Sequence, residues 1–183
     1  MSEPTNGIWG QFTADKYHAH SQELADFLIG YLPKNQPVID LGCGQAFYLS
    51  ELAKKDFQCK GVEGFRLKNF MHEDVKIHDL TEPLELHMRG SVLCLEVMEH
   101  VPKWAEQTLL GTINMHCINT LVLSWGLPGQ AGIGHINLQP QEYAISEMER
   151  RGFKYQKETS ESARAIIGDN TSWFRNTLMF FTR

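Results

Sequence analysis

The stretch Pro37-Val-Ile-Asp-Leu-Gly-Cys-Gly-Gln-Ala46 constrains this chain more than any other. Val38, Ile39 and Leu41 form a short apolar run that reads as a buried parallel strand. Gly42 and Gly44 permit a tight turn and let a ligand approach the backbone with no Cβ in the way. From Gln45 the pattern turns helical, with Phe47, Leu49, Leu52 and Ala53 as the expected inward face. Such a strand, turn and helix start present free backbone N–H groups at the carboxyl edge of a sheet, where open α/β folds bind ligands.

The spacing is not that of a dinucleotide site. That pattern places a third glycine three residues after the second, where this chain has Phe47, so the close helix–strand packing around a pyrophosphate is lost. A dinucleotide oxidoreductase is therefore disfavoured. Asp40-x-Gly42-x-Gly44-x-Ala46 instead resembles the first motif of class I S-adenosylmethionine-dependent methyltransferases, with Ala in place of the usual last glycine. The resemblance implies that Asp40, Gly42, Cys43 and Gly44 embrace the amino-acid end of S-adenosylmethionine, a ligand without phosphate.

Later strand ends extend the resemblance. Gln58 to Glu63 reads as a second strand ending in a carboxylate, 21 residues beyond Gly42. Doubly wound nucleotide sites place an acid on the ribose at a distance of about 20 residues, and two acceptor oxygens suit two neighbouring hydroxyls. Gly64 and Phe65 follow, with Phe65 expected beside the nucleoside. Val75 to Leu80 reads as a third strand with Asp79 at its end. The resemblance implies that Asp79 accepts from the adenine amino group, with Leu80 next to it. Capping of the next turn, ahead of Thr81 and Pro83, is the competing role. Glu82 to Gly90 is too short for the usual crossover helix, so an abbreviated layer is expected there.

Ser91 to Glu96 reads as a fourth strand and runs directly into a turn. The string Leu95-Glu-Val-Met-Glu-His-Val-Pro102 is similar to the corresponding segment of ubiquinone-pathway O-methyltransferases and small-RNA 3′-terminal 2′-O-methyltransferases. Their shared E-x-x-E-H is present as Glu96, Glu99 and His100. In a helical turn, positions i, i+3 and i+4 share one face. Two carboxylates and an imidazole would then converge beside the methyl donor, with Leu95 and Glu96 against it. In the RNA enzymes a His from the loop after the fifth strand completes this face, and His135 holds the equivalent place here. The resemblance implies Glu99, His100 and His135 as the catalytic group. With Glu96 they would supply two oxygen and two nitrogen ligands for a divalent ion (Mg, Mn or Zn) with positions open to a diol. Two alternatives stand beside this: His100 as a metal-free base, and His135 as a loop residue bonded to backbone.

The rest of the chain is read around that core. A helix is expected from Asp15 to Leu32, burying Leu24, Phe27, Leu28 and Tyr31 and ended by Pro33 and Asn35. Its polar side carries Tyr17, His18 and His20, either solvated or over the pocket. A second helix is expected from Lys103 to His116, with Trp104, Leu109, Leu110 and Ile113 toward the sheet, then a fifth strand over Leu121 to Trp125. Gly126 to Asn137 holds four glycines and reads as a loop over the pocket mouth. A helix over Gln139 to Arg151, with Tyr143, Ile145 and Met148 as contacts, ends at Gly152. Phe153 to Lys157 and Thr177 to Thr182 are the candidate final strands, and polar Glu158 to Asn176, with Trp173 and Phe174, is expected as a second rim. The aromatic groups Trp9, Phe12, Trp125 and Trp173 divide between ring stacking and core packing.

The expected fold is one α/β domain with a doubly wound, mostly parallel seven-stranded sheet. By resemblance its order is 3-2-1-4-5-7-6, the last strand antiparallel, with helices on both faces. Residues 1–33 would form an N-terminal cap and 36–183 a Rossmann-like core. A hydrophobic content of 42% over 183 residues suits such a core. The formal charge of −5 is interspersed and leaves no broad phosphate-binding face, so nucleic acid is a poor candidate partner. A small-molecule or glycan-like hydroxyl acceptor fits better, making an O-methyltransferase the first reading. N-methylation, RNA 3′-end 2′-O-methylation and a non-catalytic S-adenosylmethionine-binding subunit are the alternatives, and the intact E-x-x-E-H weighs against the last. Cys43, Cys59, Cys94 and Cys117 form no CxxC pair and read as reduced thiols of a cytoplasmic protein. No apolar run reaches the length of a membrane span. Oligomeric state has no signature in the sequence.

Overall fold

The computed structural model describes residues 8–183; the first seven residues of the expected N-terminal cap lie outside the described part. Five strands of the sheet arise from the apolar runs: β1 (Val38–Leu41), β2 (Cys59–Glu63), β3 (Val75–Ile77), β4 (Gly90–Cys94) and β5 (Cys117–Ser124). β6 (Lys154–Tyr155) and β7 (Leu178–Thr182) complete it in the order β3-β2-β1-β4-β5-β7-β6. β1 pairs in parallel with β2 and with β4, and β4 in parallel with β5, whereas β7 is antiparallel to both β5 and β6. The expected order is thus found. Chain direction across the sheet reverses between β1 and β4, and at such a switch point the carboxyl ends of both strands open a crevice.

Strand alternation assigns side chains to two apolar layers. Ile39, Val92, Cys94, Leu121, Leu123, Met179 and Phe181 face one layer, closed by Leu109, Leu110 and Ile113 of α4 (Glu106–His116) and Met148 of α5 (Gln141–Glu149). Val38, Leu93, Val122, Leu178 and Phe180 face the other. There they meet Leu24 and Leu28 of α2 (Gln22–Tyr31), Leu49 and Leu52 of α3 (Phe47–Ala53) and Ala163 of α6 (Lys157–Ala165). Tyr143 and Ile145 pack partly buried against the first layer, and Gly152 ends the α5 segment at φ +83°. Between β3 and β4 no helix forms, and buried Leu80, Leu84 and Leu86 cover the sheet edge instead.

Several boundaries differ from the sequence expectation. The N-terminal helix is two helices, α1 (Gln11–Tyr17) and α2, separated by an extended step at residues 18–20. Ser21 is the cause, because its side chain accepts from Leu24 N at 3.1 Å and caps α2. α3 starts at Phe47 rather than Gln45, since Ala46 sits in the left-handed region at φ +61°. Trp104 does not face the sheet; it is 72% exposed, ahead of the first turn of α4. The stretch expected as a polar rim contains α6, which packs on β7 through Ala163 and hydrogen-bonds it through Ser160 Oγ, accepting from Phe180 N at 2.9 Å. No helix among the described residues is long and apolar enough to cross a membrane.

Candidate active site

The glycine turn leaves β1 with Gly42 at φ +77° and Gly44 at φ +53°, conformations that a side chain would strain. Space forbids one as well: a Cβ on Gly42 would lie 2.4 Å from Val97 Cγ2. Gly42 N and Cys43 N both donate to Val62 O, which ties the turn to β2. Glu63 at the end of β2 accepts from Gly44 N and from Gly64 N, each at 2.8 Å. Burial pushes its carboxyl above the ordinary range, and these N–H groups hold it partly back. Asp40, 2% exposed below the turn, is pushed up to about 8 by burial and by the nearby Glu63.

These groups line a cavity of 580 Å³ at the switch point, within the usual size of a small-molecule site. Asp40, Gly42, Cys43, Gly44, Glu63, Gly64, Asp79, Leu80, Leu95, Glu96, His100 and His135 all reach its wall. Phe65 does not: it is 41% exposed and outside the lining, because the chain turns away after Gly64. Asp79 takes the capping role, its Oδ1 accepting from Thr81 N at 2.9 Å and Thr81 Oγ1 at 2.7 Å, and it also lines the cavity.

The E-x-x-E-H segment folds as a tight turn after β4 rather than as a helix. His100 N donates to Val97 O at 2.9 Å, and Glu96 takes φ +54°, an uncommon position for a residue with a Cβ. Glu96 N donates to Ser124 Oγ at 2.7 Å; its carboxylate accepts from Thr177 Oγ1 at 3.2 Å and Gln130 Nε2 at 3.4 Å. Glu99 is fully buried and does not itself line the cavity; its carboxyl packs against that of Glu96 and near the backbone N–H groups of Glu99 and Gly126, without a hydrogen bond of standard geometry. Burial, then the neighbouring Glu96, raises the Glu99 carboxyl well above its usual range. Ligand atoms of Glu99, His100 and His135 lie within 4.8 Å of one another, while Glu96 stands outside that triplet, held by its own partners.

The glycine-rich loop is clamped onto this turn. Ile136 N and Asn137 N both donate to Glu99 O at 2.9 Å. Asn137 Nδ2 reaches Glu106 Oε2 at 2.9 Å, and Asn137 O accepts from Trp125 Nε1 at 2.7 Å. Trp125 therefore belongs to the core. Gly132 is glycine because the His135 ring lies over it, with Nε2 2.1 Å from where a Cβ would be. His100 Nδ1 faces Gly134 O at 3.1 Å and His135 Nδ1 faces Gln130 O at 3.3 Å. A carbonyl only accepts, so in the neutral rings Nδ1 carries the proton and each Nε2 keeps a lone pair. Burial, then His135, pushes His100 down to about 4, and burial lowers His135, so both are neutral near pH 7.

The remaining wall comes from segments whose role the sequence left open. Trp9, ahead of α1, and Tyr17, His18 and His20, at the break between α1 and α2, line the cavity, and Trp173 and Phe174 line it from the C-terminal side. Trp9 stacks on His18 at 5.5 Å and meets His100 edge-on at 5.1 Å; Phe12, by contrast, is exposed. Ser21 just before Gln22-Glu23 was the available signal, a capping residue that starts a new helix. Gln130 and Thr177, which hold Glu96, had no sequence signal.

No protein-family model and no curated protein sequence matches this chain. Solved structures do resemble it. The sugar N-methyltransferase KedS8 from Streptoalloteichus sp. superposes with a TM-score of 0.67 over 100% of this chain and 98% of its own, at 14% identity. Magnesium protoporphyrin IX methyltransferase from Synechocystis, with bound S-adenosylhomocysteine, gives 0.63 over 94% and 83% at 16% identity. The methyltransferase domain of bacterial CtHen1 gives 0.57 over 88% and 97% at 19% identity. Strand order, switch-point cavity and these neighbours agree: the chain has the fold of the class I S-adenosylmethionine-dependent methyltransferases.

Proposed function

We propose that this protein transfers the methyl group of S-adenosylmethionine to a hydroxyl of a small-molecule or glycan-like acceptor, at a corner that holds a divalent cation. The observation that carries this reading is the fully buried Glu99 carboxyl, which lies within 4.8 Å of imidazole nitrogens of His100 and His135, directly behind those two rings where they line the cavity that starts at the glycine turn. Glu63, with two carboxylate oxygens, suits the ribose diol, and Asp79 with Leu80 suits the adenine. Asp40 and the glycine turn suit the amino-acid end. Methyl transfer is an in-line displacement from an activated donor, so holding donor and acceptor in line supplies most of the gain.

Burial pushes the His100 imidazole down to about 4, which weakens it as the sole base for an alcohol acceptor and favours help from a cation. Burying two carboxyls this close also costs heavily unless a proton or a cation neutralises them. One carboxylate oxygen and two imidazole nitrogens suit Zn²⁺ or Mn²⁺, with Glu96 close by. A cation held there would lower the acceptor's pKa and orient two neighbouring oxygens. Glu99, His100 and His135 would hold it, while the Gly134 and Gln130 carbonyls fix the ring orientations.

A small or glycan acceptor is favoured over RNA because no Lys or Arg lines the cavity among the described residues, and phosphate contacts dominate nucleic-acid affinity. The test is titration calorimetry with Mn²⁺, Mg²⁺ and Zn²⁺ on wild type and Glu99→Gln. It is paired with turnover of labelled donor on diol, hexose and short RNA acceptors. Expected are cation binding that Glu99→Gln removes, and chelator-sensitive methylation of a hydroxyl compound. A protein that binds no cation and methylates regardless of chelator would refute the metal-assisted reading; labelled RNA alone would refute the acceptor class.

A further inference from the structure

The sulfonium of S-adenosylmethionine carries three arms, and the proposed site accounts for two. With the ribose at Glu63 and the methyl toward His100, the third arm, an amino acid, must lie along the remaining wall. That wall is the Gly42–Gly44 turn with the segment that enters from the N-terminal side. A carboxylate at the tip of this arm needs donors. Among the described residues the cavity carries carboxyls at Asp40, Glu63, Asp79 and Glu96, no Lys or Arg, and four histidines. Two of these, His100 and His135, belong to the Glu99 corner.

We infer that His18, held in place by Trp9, is the group that receives the carboxylate of the donor's amino-acid arm. His18 Cε1 lies 2.9 Å from where a Cβ on Gly44 would be, so the ring sits directly on the glycine turn. Its Nδ1 is buried without a partner, and so is Trp9 Nε1 on the ring stacked against it at an interplanar angle of 15°. Two orphaned nitrogens on stacked rings that line one cavity are costly to leave unpaired, and an anionic acceptor reaching them offsets that cost. Position alone favours His18 over its neighbour His20, whose ring stacks on Phe47 at 3.9 Å. The segment is anchored for this purpose from outside the cavity. Gln11 Oε1 accepts from Lys68 N at 2.7 Å and Gln11 Nε2 donates to Asn69 Oδ1 at 3.0 Å, fixing α1 on the chain that follows β2.

This rests on the methyl-transfer reading, and the experiment separates the two. S-adenosylhomocysteine and 5′-methylthioadenosine share adenine, ribose and sulfur, but only the first has the amino-acid arm. Calorimetric affinities of both are measured on wild type, His18→Ala and His18→Gln. The expected result is a loss of about tenfold for S-adenosylhomocysteine in His18→Ala, with 5′-methylthioadenosine unchanged. His18→Gln, which keeps an N–H donor, should lose less. Equal losses for the two ligands, or no loss for either, would overturn the role of His18. If wild type binds neither ligand, the methyl-transfer reading falls and this inference with it.

Discussion

Asp40→Asn separates what the site demands from what the fold would prefer. Asp40 is buried at the end of β1 beside Glu63, and its carboxyl is pushed from 3.8 to about 8. Below pH 4 both folded and unfolded chains hold the proton and no difference arises. As pH rises the unfolded chain releases it while the folded one keeps it. The unfolded state then binds fewer protons, and stability falls until the folded group ionises. The loss comes to about 2 kcal/mol near pH 5, about 4 kcal/mol near pH 7 and about 5 kcal/mol near pH 8, at 1.36 kcal/mol per pH unit. An Asn of the same shape has no proton to lose. Urea unfolding of wild type and Asp40→Asn at these pH values should show a stability gap that widens by about 3 kcal/mol from pH 5 to pH 8, at constant m-value. If Asp40 meets the amino-acid end of the donor as proposed, the same variant should bind S-adenosylhomocysteine more weakly, because an ammonium that would draw off the Asp40 proton loses its partner. Parallel stability curves across this pH range would refute the account, since they would mean that Asp40 titrates alike in both states.

Two further outcomes follow from packing. Gly90→Ala should destabilise by about 2–4 kcal/mol in the same unfolding assay, because its Cβ would sit 2.0 Å from Pro37 O, a backbone atom that also accepts from Ser91 N and cannot step aside. Trp104→Ser should change stability by no more than about 0.5 kcal/mol, since the indole is exposed; a loss of core-residue size would contradict its placement.

Much of the site was legible because it lies within a few residues of strand ends. An apolar run places its own terminus at the sheet's carboxyl edge, so Glu63 and Asp79 follow from strand pattern and spacing, whereas Asp40 and Glu96 were singled out by the resemblance of their motifs. Phe65 was misplaced by the same logic, for a single turn after Gly64 sends the ring outward. The helix break at Ser21 went unseen because the apolar stripe of α2 continues the period expected from α1, while one capping hydroxyl resets the backbone. Trp104 was assigned to the core by periodicity, but the helix begins only at Glu106.

The sequence by itself determined the strand–glycine turn–helix unit, the acids at successive strand ends and the cluster Glu99-His100, since these depend on local sterics and period. Only the tertiary structure decided what those groups face. It brought His135 from 35 residues away against His100, closed the pocket with Trp9 and His18, and buried the Glu99 carboxyl against that of Glu96. The physical reason is that burial and desolvation, which set the charge state of Asp40, Glu99 and His100, arise from segments far apart in the chain.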